Sequence, residues 1–262
     1  MSDNDDVLYS SDAGIARVTF NRPQARNALT FAMYERLAEI CEQVSADHGI
    51  RVMIIEGAGD KAFAAGTDIG QFKAVETAED AIAYETRIDR VLTVLESCRV
   101  PTIAAVVGAC TGGGAAIAAC CDIRIASANA KFGFPIARTL GNCLSISSLE
   151  RLVALIGPAL TKEIIFTARL VEAEEAKAAG LVSEVLPDPD ALRARAQALA
   201  EIIAANAPLT IEATKEGVAR LARNAREPGD GDDLILKCYL SEDFREGMEA
   251  FLAKRPPVWR GR

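Results

Sequence analysis

The stretch VVGACTGGGAAIAACCDIRIAS, Val106 to Ser127, decides how the chain is read. Three consecutive glycines, Gly112 to Gly114, separate an apolar, strand-like run from an alanine-rich, helix-like one. Glycine is costly inside a strand or a helix because it has the most backbone freedom to lose. A triplet at such a junction therefore predicts main chain brought close to other main chain or to a ligand. Three readings fit: a packing contact or tight turn, a dinucleotide fingerprint, or a helix N-terminus whose unpaired N–H groups and dipole face an anion. The spacing Gly108-Ala-Cys-Thr-Gly112 departs from G-x-G-x-x-G, and no acidic residue ends a second strand about 20 residues later, which disfavours the fingerprint. Packing and anion binding stay open on these residues alone.

Outward from the triplet, strand-like and helix-like segments alternate. VLYSSDAGIARVTF holds two apolar runs around an Asp12-Ala13-Gly14 turn, and LTFAMYERLAEICEQVSAD repeats apolar residues at helical spacing with Thr30 placed to cap it. RVMIIEGAG and PTIAAVVGA predict short buried strands ending at glycines, with an amphipathic helix over Ala78 to Cys98 between them. CDIRIAS predicts another strand. After Ser145 the pattern turns helical: SISSLERLVALIG, PALTKEIIFTA, EAEEAKAAG closed by Gly180, two long helices through Arg226, and a last one before Pro256. REPGDGDD, 226–233, is the most loop-like interior segment. The fold class expected is α/β with a helical extension.

Composition bounds the function. A chain of 262 residues with 50% apolar content supports one main domain. No apolar run approaches the roughly 20 residues that span a bilayer, and MSDNDDVLYSSD is acidic where a leader would be basic, so a cytoplasmic protein with no membrane partner is expected. Seven cysteines, an odd number without metal-type spacing, predict core fillers in a reducing compartment, with Cys120 and Cys121 buried and no metal site. A net charge of -8 argues against a nucleic-acid partner. Any anionic ligand has to be held by local basic residues.

Three further segments combine with the glycine triplet: NRPQARNAL (21–29), KAFAAGTDIGQF (61–72) and EDFREGMEAFLAKRPP (242–257). In this order and approximate spacing they resemble the crotonase superfamily, the enoyl-CoA hydratase/isomerase family. The resemblance implies a crotonase-like spiral of repeated ββα units over 1–200, a C-terminal helical trimerisation region over 201–262, and a homotrimer or dimer of trimers. It implies an acyl-CoA thioester as ligand, with coenzyme A as part of the substrate and no separate cofactor. Carried over by position, the backbone N–H groups of Thr67 and Gly113 form an oxyanion hole, the main chain of Ala64 and Ala65 lies beside the adenine, and Arg22 and Arg26 flank the coenzyme A entrance. Lys254 and Arg255 belong to the tail motif and are placed to reach phosphate in the same or a neighbouring subunit.

The departures from the family pattern bear on the reaction. Where hydratases of this family carry two glutamates, this chain has Ala116 and Ile136, with Ala137 the alternative alignment for the second; the nearest match to an isomerase carboxylate is Ser145. None of these moves a proton as a carboxylate does. The polar residues left near the implied pocket are Arg138, Thr139, Asn142, Cys143 and Ser145, with Arg138 suited to holding a substrate carboxylate. Cys143 lacks a histidine to activate it, because His48 falls in a helix-to-strand turn. Asp68 reads as a helix cap rather than a proton-transfer group; Glu85 and Asp89, on the helix after that loop, read first as a solvated helix face, with an unorthodox carboxylate for the site as the alternative. Two function classes follow: an enzyme that stabilises an acyl-CoA enolate with a nonstandard proton path, a decarboxylase or isomerase included, and a catalytically silent acyl-CoA-binding protein. A polar group aimed at the acyl chain favours the first, an all-apolar floor the second.

Overall fold

The computed structural model describes residues 6–74, 76–222 and 232–262. Strand β1 (Val7–Asp12) turns back antiparallel into β2 (Ile15–Phe20) through Ala13 and Gly14, at φ 47° and 79°. Positive φ at both central residues matches the twist of a two-residue hairpin. Helix α1 (Phe31–Ala46) follows, capped as expected by the Thr30 hydroxyl, which accepts from the Met33 N–H at 3.3 Å.

Three strand-strand-helix turns then repeat. They are β3 (Val52–Gly57), β4 (Ala62–Ala64) and α2 (Ala78–Glu96); β5 (Thr102–Val106), β6 (Ala109–Thr111) and α3 (Gly113–Cys120); and β7 (Ile123–Ser127) and β8 (Lys131–Gly133) with α4 (Ile136–Thr139) and α5 (Ile146–Thr167). The chain continues through β9 (Val171–Glu172), α6 (Ala173–Ala178), β10 (Glu184–Leu186) and α7 (Pro189–Ala204). In each of the three turns the first strand joins a six-stranded sheet, ordered β1-β2-β3-β5-β7-β10, and the second a four-stranded sheet, ordered β4-β6-β8-β9. This is the spiral of ββα units.

The apolar runs of β3 and β5 are continuous because both faces of the large sheet are covered. Met53, Ile55, Ala104 and Val106 face the core beneath α1, α2 and α3, while Val52, Ile54, Ile103 and Ala105 meet Leu192, Ala196 and Ala200 of α7. Residue 200, where the sequence divides core from extension, therefore lies inside a helix that closes the outer face of the sheet. Arg124 on β7 is buried, and its guanidinium donates to the carbonyls of Leu181 (2.7 Å), Ala118 (3.3 Å) and Cys121. A cation on the last carbonyls of α3 suits the negative end of that helix and fixes where its other end points.

The segments SISSLERLVALIG and PALTKEIIFTA become one span, α5, broken at Gly157, whose φ of 73° and ψ of 163° are non-helical, with Pro158 restarting the helix. Helices α8 (Pro208–Ala222) and α10 (Glu242–Leu252) appear where expected. Between them lies α9 (Asp232–Tyr239), which the sequence reading does not anticipate, tied to α8 by the Arg220–Asp233 and Lys237–Glu212 ion pairs. The loop-like stretch 226–233 lies, up to residue 231, outside the described residues. These last helices expose Ile235, Leu236, Tyr239, Leu240, Met248, Phe251 and Leu252. Among the described residues no helix is long and apolar enough to cross a membrane, and no cluster of His, Cys, Asp or Glu is arranged to hold a metal. Cys41, Cys98, Cys110, Cys120 and Cys121 are buried free thiols.

Candidate active site

A cavity of about 220 Å³ opens where the start of α3, the loop after β4, the side of α2 and the segment around α4 converge. Each glycine of the triplet answers a separate demand there. Gly112 caps α3 with φ 51° and ψ −120°, a conformation closed to other residues, and so lets the helix begin directly after β6. A Cβ on Gly113 would fall onto the Tyr34 hydroxyl and within 3.1 Å of Thr67 Oγ1; one on Gly114 would fall onto the Ala64 carbonyl oxygen. Packing and site geometry are thus both served, and the nearest obstacle to a side chain at 113 is a protein hydroxyl.

The loop after β4 is held in place by Leu29 and Asn27. The Leu29 N–H donates to the Gly66 carbonyl (2.8 Å) and the Asp68 N–H to the Leu29 carbonyl (2.8 Å), so Thr67, between them, keeps its N–H out of the pairing. Fully buried Asn27 donates to the Ala62 carbonyl (2.7 Å) and the Ala58 carbonyl (3.1 Å) and accepts from the Arg22 N–H (3.0 Å). Among the described residues neither the Thr67 N–H nor the Gly113 N–H has an acceptor. Both residues line the cavity.

The Thr67 hydroxyl lies 2.9 Å from the Tyr34 hydroxyl and 3.3 Å from that of Tyr84. Burial is the main reason both phenols are pushed up, so both stay protonated. Sequence reasoning missed both. Tyr34 lies on the buried face of α1, and a buried tyrosine with a polar tip needs a partner, which was the available signal. Tyr84 is wedged between Phe31 and Phe72, with ring centroids 5.8 and 4.9 Å away, which fixes the face of α2 that looks into the cavity.

The remaining expected residues divide. Asn142, Thr139, Cys143 and Ala65 line the cavity, as do Ala116 and Ile136, which leave no carboxylate at those two positions. Ala64 is fully buried in β4 against Gly114. Arg138, read as a pocket cation, is instead exposed and outside the cavity lining, because the single turn of α4 carries it to solvent. Ser145 is a structural residue: it caps α5 by accepting from the Ser148 N–H (3.2 Å) and donates to Asp89 Oδ1 (2.9 Å). Asp89 also accepts from Ser147 at 2.8 Å and sits 3.9 Å from Arg151. Ser145→Ala should cost about 1 kcal/mol in chemical denaturation, as lost caps do, and leave ligand affinity unchanged.

Arg22 is occupied by the protein itself. Its guanidinium donates to the Ala28 carbonyl (2.6 Å) and Asp68 (3.1 Å) and lies 3.5 Å from Asp6. Arg26 is exposed and has no ion-pair partner among the described residues. Asp68 is a cap, as expected: it accepts from the Gly70 N–H (3.0 Å) and from Arg22, and these two bonds, the first above all, hold its carboxyl below the usual range. Arg255 is engaged with Glu246 through two bonds of 2.6 and 2.8 Å, and His48 is an exposed turn residue. Glu85 departs from its reading: half-buried, it lines the cavity.

Residues 10–262 match the sequence profile of the enoyl-CoA hydratase/isomerase family. The chain is 35% identical over 258 residues to a short-chain-enoyl-CoA hydratase of Clostridium acetobutylicum, covering 95% of each chain. It is 33% identical over 259 residues to a 2,3-dehydroadipyl-CoA hydratase of Escherichia coli, covering 98% of this chain and 99% of the relative. The crystal structure of an enoyl-CoA hydratase/carnithine racemase from Magnetospirillum magneticum superposes with a TM-score of 0.93 at 39% identity, over 98% of this chain and 96% of that one.

Proposed function

The chain belongs to the enoyl-CoA hydratase/isomerase family, and from that premise we propose that it is an enzyme acting on acyl-CoA thioesters with a neutral acyl chain. The observation that carries this reading is the pair of N–H groups without acceptors among the described residues, on Thr67 and Gly113, two residues that line one cavity. As the α-carbon of a thioester becomes enolate-like its carbonyl oxygen gains negative charge. Two preorganised donors aimed at that oxygen stabilise it, each by roughly 3 to 4 kcal/mol in comparable oxyanion holes. The positive end of α3 adds to the same field. A silent binding protein would have no use for a carboxylate in the cavity; Glu85 is there, which favours the enzyme.

Arg26 is the better candidate for coenzyme A phosphate, since Arg22 is spent on the loop. The apolar surface of the last helices is assigned to contacts within a trimer or a dimer of trimers.

The acyl class follows from the walls. Ile69, Phe72, Ile88, Phe134, Ile136, Leu140 and Leu144 line the cavity, and among the described residues no cation does. The relative from Escherichia coli is named for a dicarboxylic acyl group. Here an ω-carboxylate would lose water with no cation to pair with and would meet Glu85. Calorimetry with butyryl-CoA and glutaryl-CoA tests the reading: butyryl-CoA should bind, and glutaryl-CoA about tenfold more weakly or worse, equivalent to roughly 1.4 kcal/mol. No heat with butyryl-CoA sinks the thioester reading, and tighter binding of glutaryl-CoA sinks the neutral-chain one.

A further inference from the structure

We propose that Glu85 is the catalytic acid/base of the cavity, taking a proton from the thioester α-carbon and returning it, from helix α2. The inference rests on the thioester reading above. Tyr84, Glu85 and Ile88 share the face of α2 that lines the cavity, and the Tyr84 hydroxyl reaches the hydroxyl of Thr67, a residue that lines the same cavity and whose N–H has no acceptor among the described residues. The carboxyl and the oxyanion donors are therefore held by elements in direct contact.

The other charged residues of this part of α2 are engaged. Arg87 pairs with Glu35 at 3.6 Å and lies over the Phe31 ring, and Arg90 binds Glu35. Asp89 is taken by Ser145, Ser147 and Arg151. The Glu85 carboxyl has no hydrogen bond or ion pair among the described residues, although the residue is half-buried. A desolvated carboxyl without a partner costs stability and contributes no packing that an apolar residue would not supply better. Among the described residues it is also the only carboxylate in the lining. Tyr34 and Tyr84 hold their protons tightly, and Ala116 and Ile136 have none to give. Burial, and then the nearby charge of Asp89, raise the Glu85 carboxyl above the usual range, toward where an acid/base works near neutrality.

The step balances within the site. The α-C–H bond breaks and its proton goes to a Glu85 carboxylate oxygen. The bonding pair becomes the C–C π bond of the enolate, and the carbonyl π pair moves to the oxygen facing the Thr67 and Gly113 N–H groups. Return of the proton regenerates the thioester.

Deuterium uptake at C2 of butyryl-CoA in D2O, followed by mass spectrometry, reads this step without knowledge of the full reaction. Wild type should exchange, and Glu85→Gln should exchange about 10² to 10⁴ times more slowly with a butyryl-CoA affinity within twofold of wild type. Glu85→Gln should melt no lower than wild type, because a carboxyl raised by burial weakens the fold when ionised and glutamine removes that penalty. Exchange by Glu85→Gln at the wild-type rate overturns the proposal. So does wild-type protein that binds butyryl-CoA without exchanging it, or a variant whose loss of exchange is matched by its loss of binding. Failure of the wild type to bind at all removes the thioester reading itself, a separate result from the same calorimeter.

Discussion

Crotonyl-CoA is expected to be hydrated by this chain about 10² to 10⁴ times more slowly than by an enzyme with two carboxylates at the positions of Ala116 and Ile136. Adding water across a 2-enoyl thioester needs one group to take a proton from the water and another to deliver one to the α-carbon. The oxyanion donors lower the energy of the enolate in between but move no proton. Ala116, the fourth residue of α3, and Ile136, at the start of α4, line the cavity with aliphatic groups only. Glu85 supplies one group of the two. Steady-state turnover of crotonyl-CoA measures the deficit directly, and Ala116→Glu should raise that turnover by adding a second carboxylate to the cavity lining. A wild-type turnover number within the ordinary range of about 1 to 10³ per second would show that the cavity holds a complete acid/base pair.

The fold was legible because its signals are local. A run such as VMII or IAAV, apolar at every position, has to be covered on both faces, and the turns, caps and glycine breaks that bound it lie within a few residues. Helix α9 was hidden for the converse reason: it is short and lies among the Pro, Gly and Asp residues of a loop-like stretch, and its anchors are ion pairs to α8. At the site, Thr67 and Gly113 were legible through their motifs, and the side chains around them were not. Tyr34 reaches Thr67 across 33 positions, and Arg22 reaches Asp68 across 46, separations at which one sequence carries no pattern. For Arg138 and Glu85 the reading preferred from sequence differs from the position in the fold, and the reason is geometric. The rotation of a one-turn helix and the tilt of α2 are set by packing, by Phe31 and Phe72 against Tyr84 in the second case, and not by spacing.

Gly113→Pro should lower thioester chemistry, read as α-exchange of butyryl-CoA, by about 10² or more, because it deletes one of two oxyanion donors outright. The ring also fits the first turn of a helix, where a missing N–H breaks no helical bond, so loss of rate need not mean loss of α3. It nevertheless carries a Cβ into the Tyr34 hydroxyl, and Tyr34 is fully buried and cannot swing away. Gly113→Ala separates the two effects, since it keeps the N–H and adds only the collision. Its damage should be mainly to stability, with the start of α3 or Thr67 displaced. Tyr34→Phe then removes the obstructing oxygen and leaves the ring carbon Cζ at 3.2 Å from the new Cβ, a tight contact that a small shift relieves. The Tyr34→Phe/Gly113→Ala double variant should therefore regain part of the stability that Gly113→Ala loses, a coupling that a denaturation cycle over the four proteins resolves. The same relief should not rescue Gly113→Pro, whose rate deficit belongs to the missing donor. If folded Tyr34→Phe/Gly113→Pro exchanges as fast as wild type, the Gly113 N–H has no part in the chemistry and the glycine at this position answers only to Tyr34.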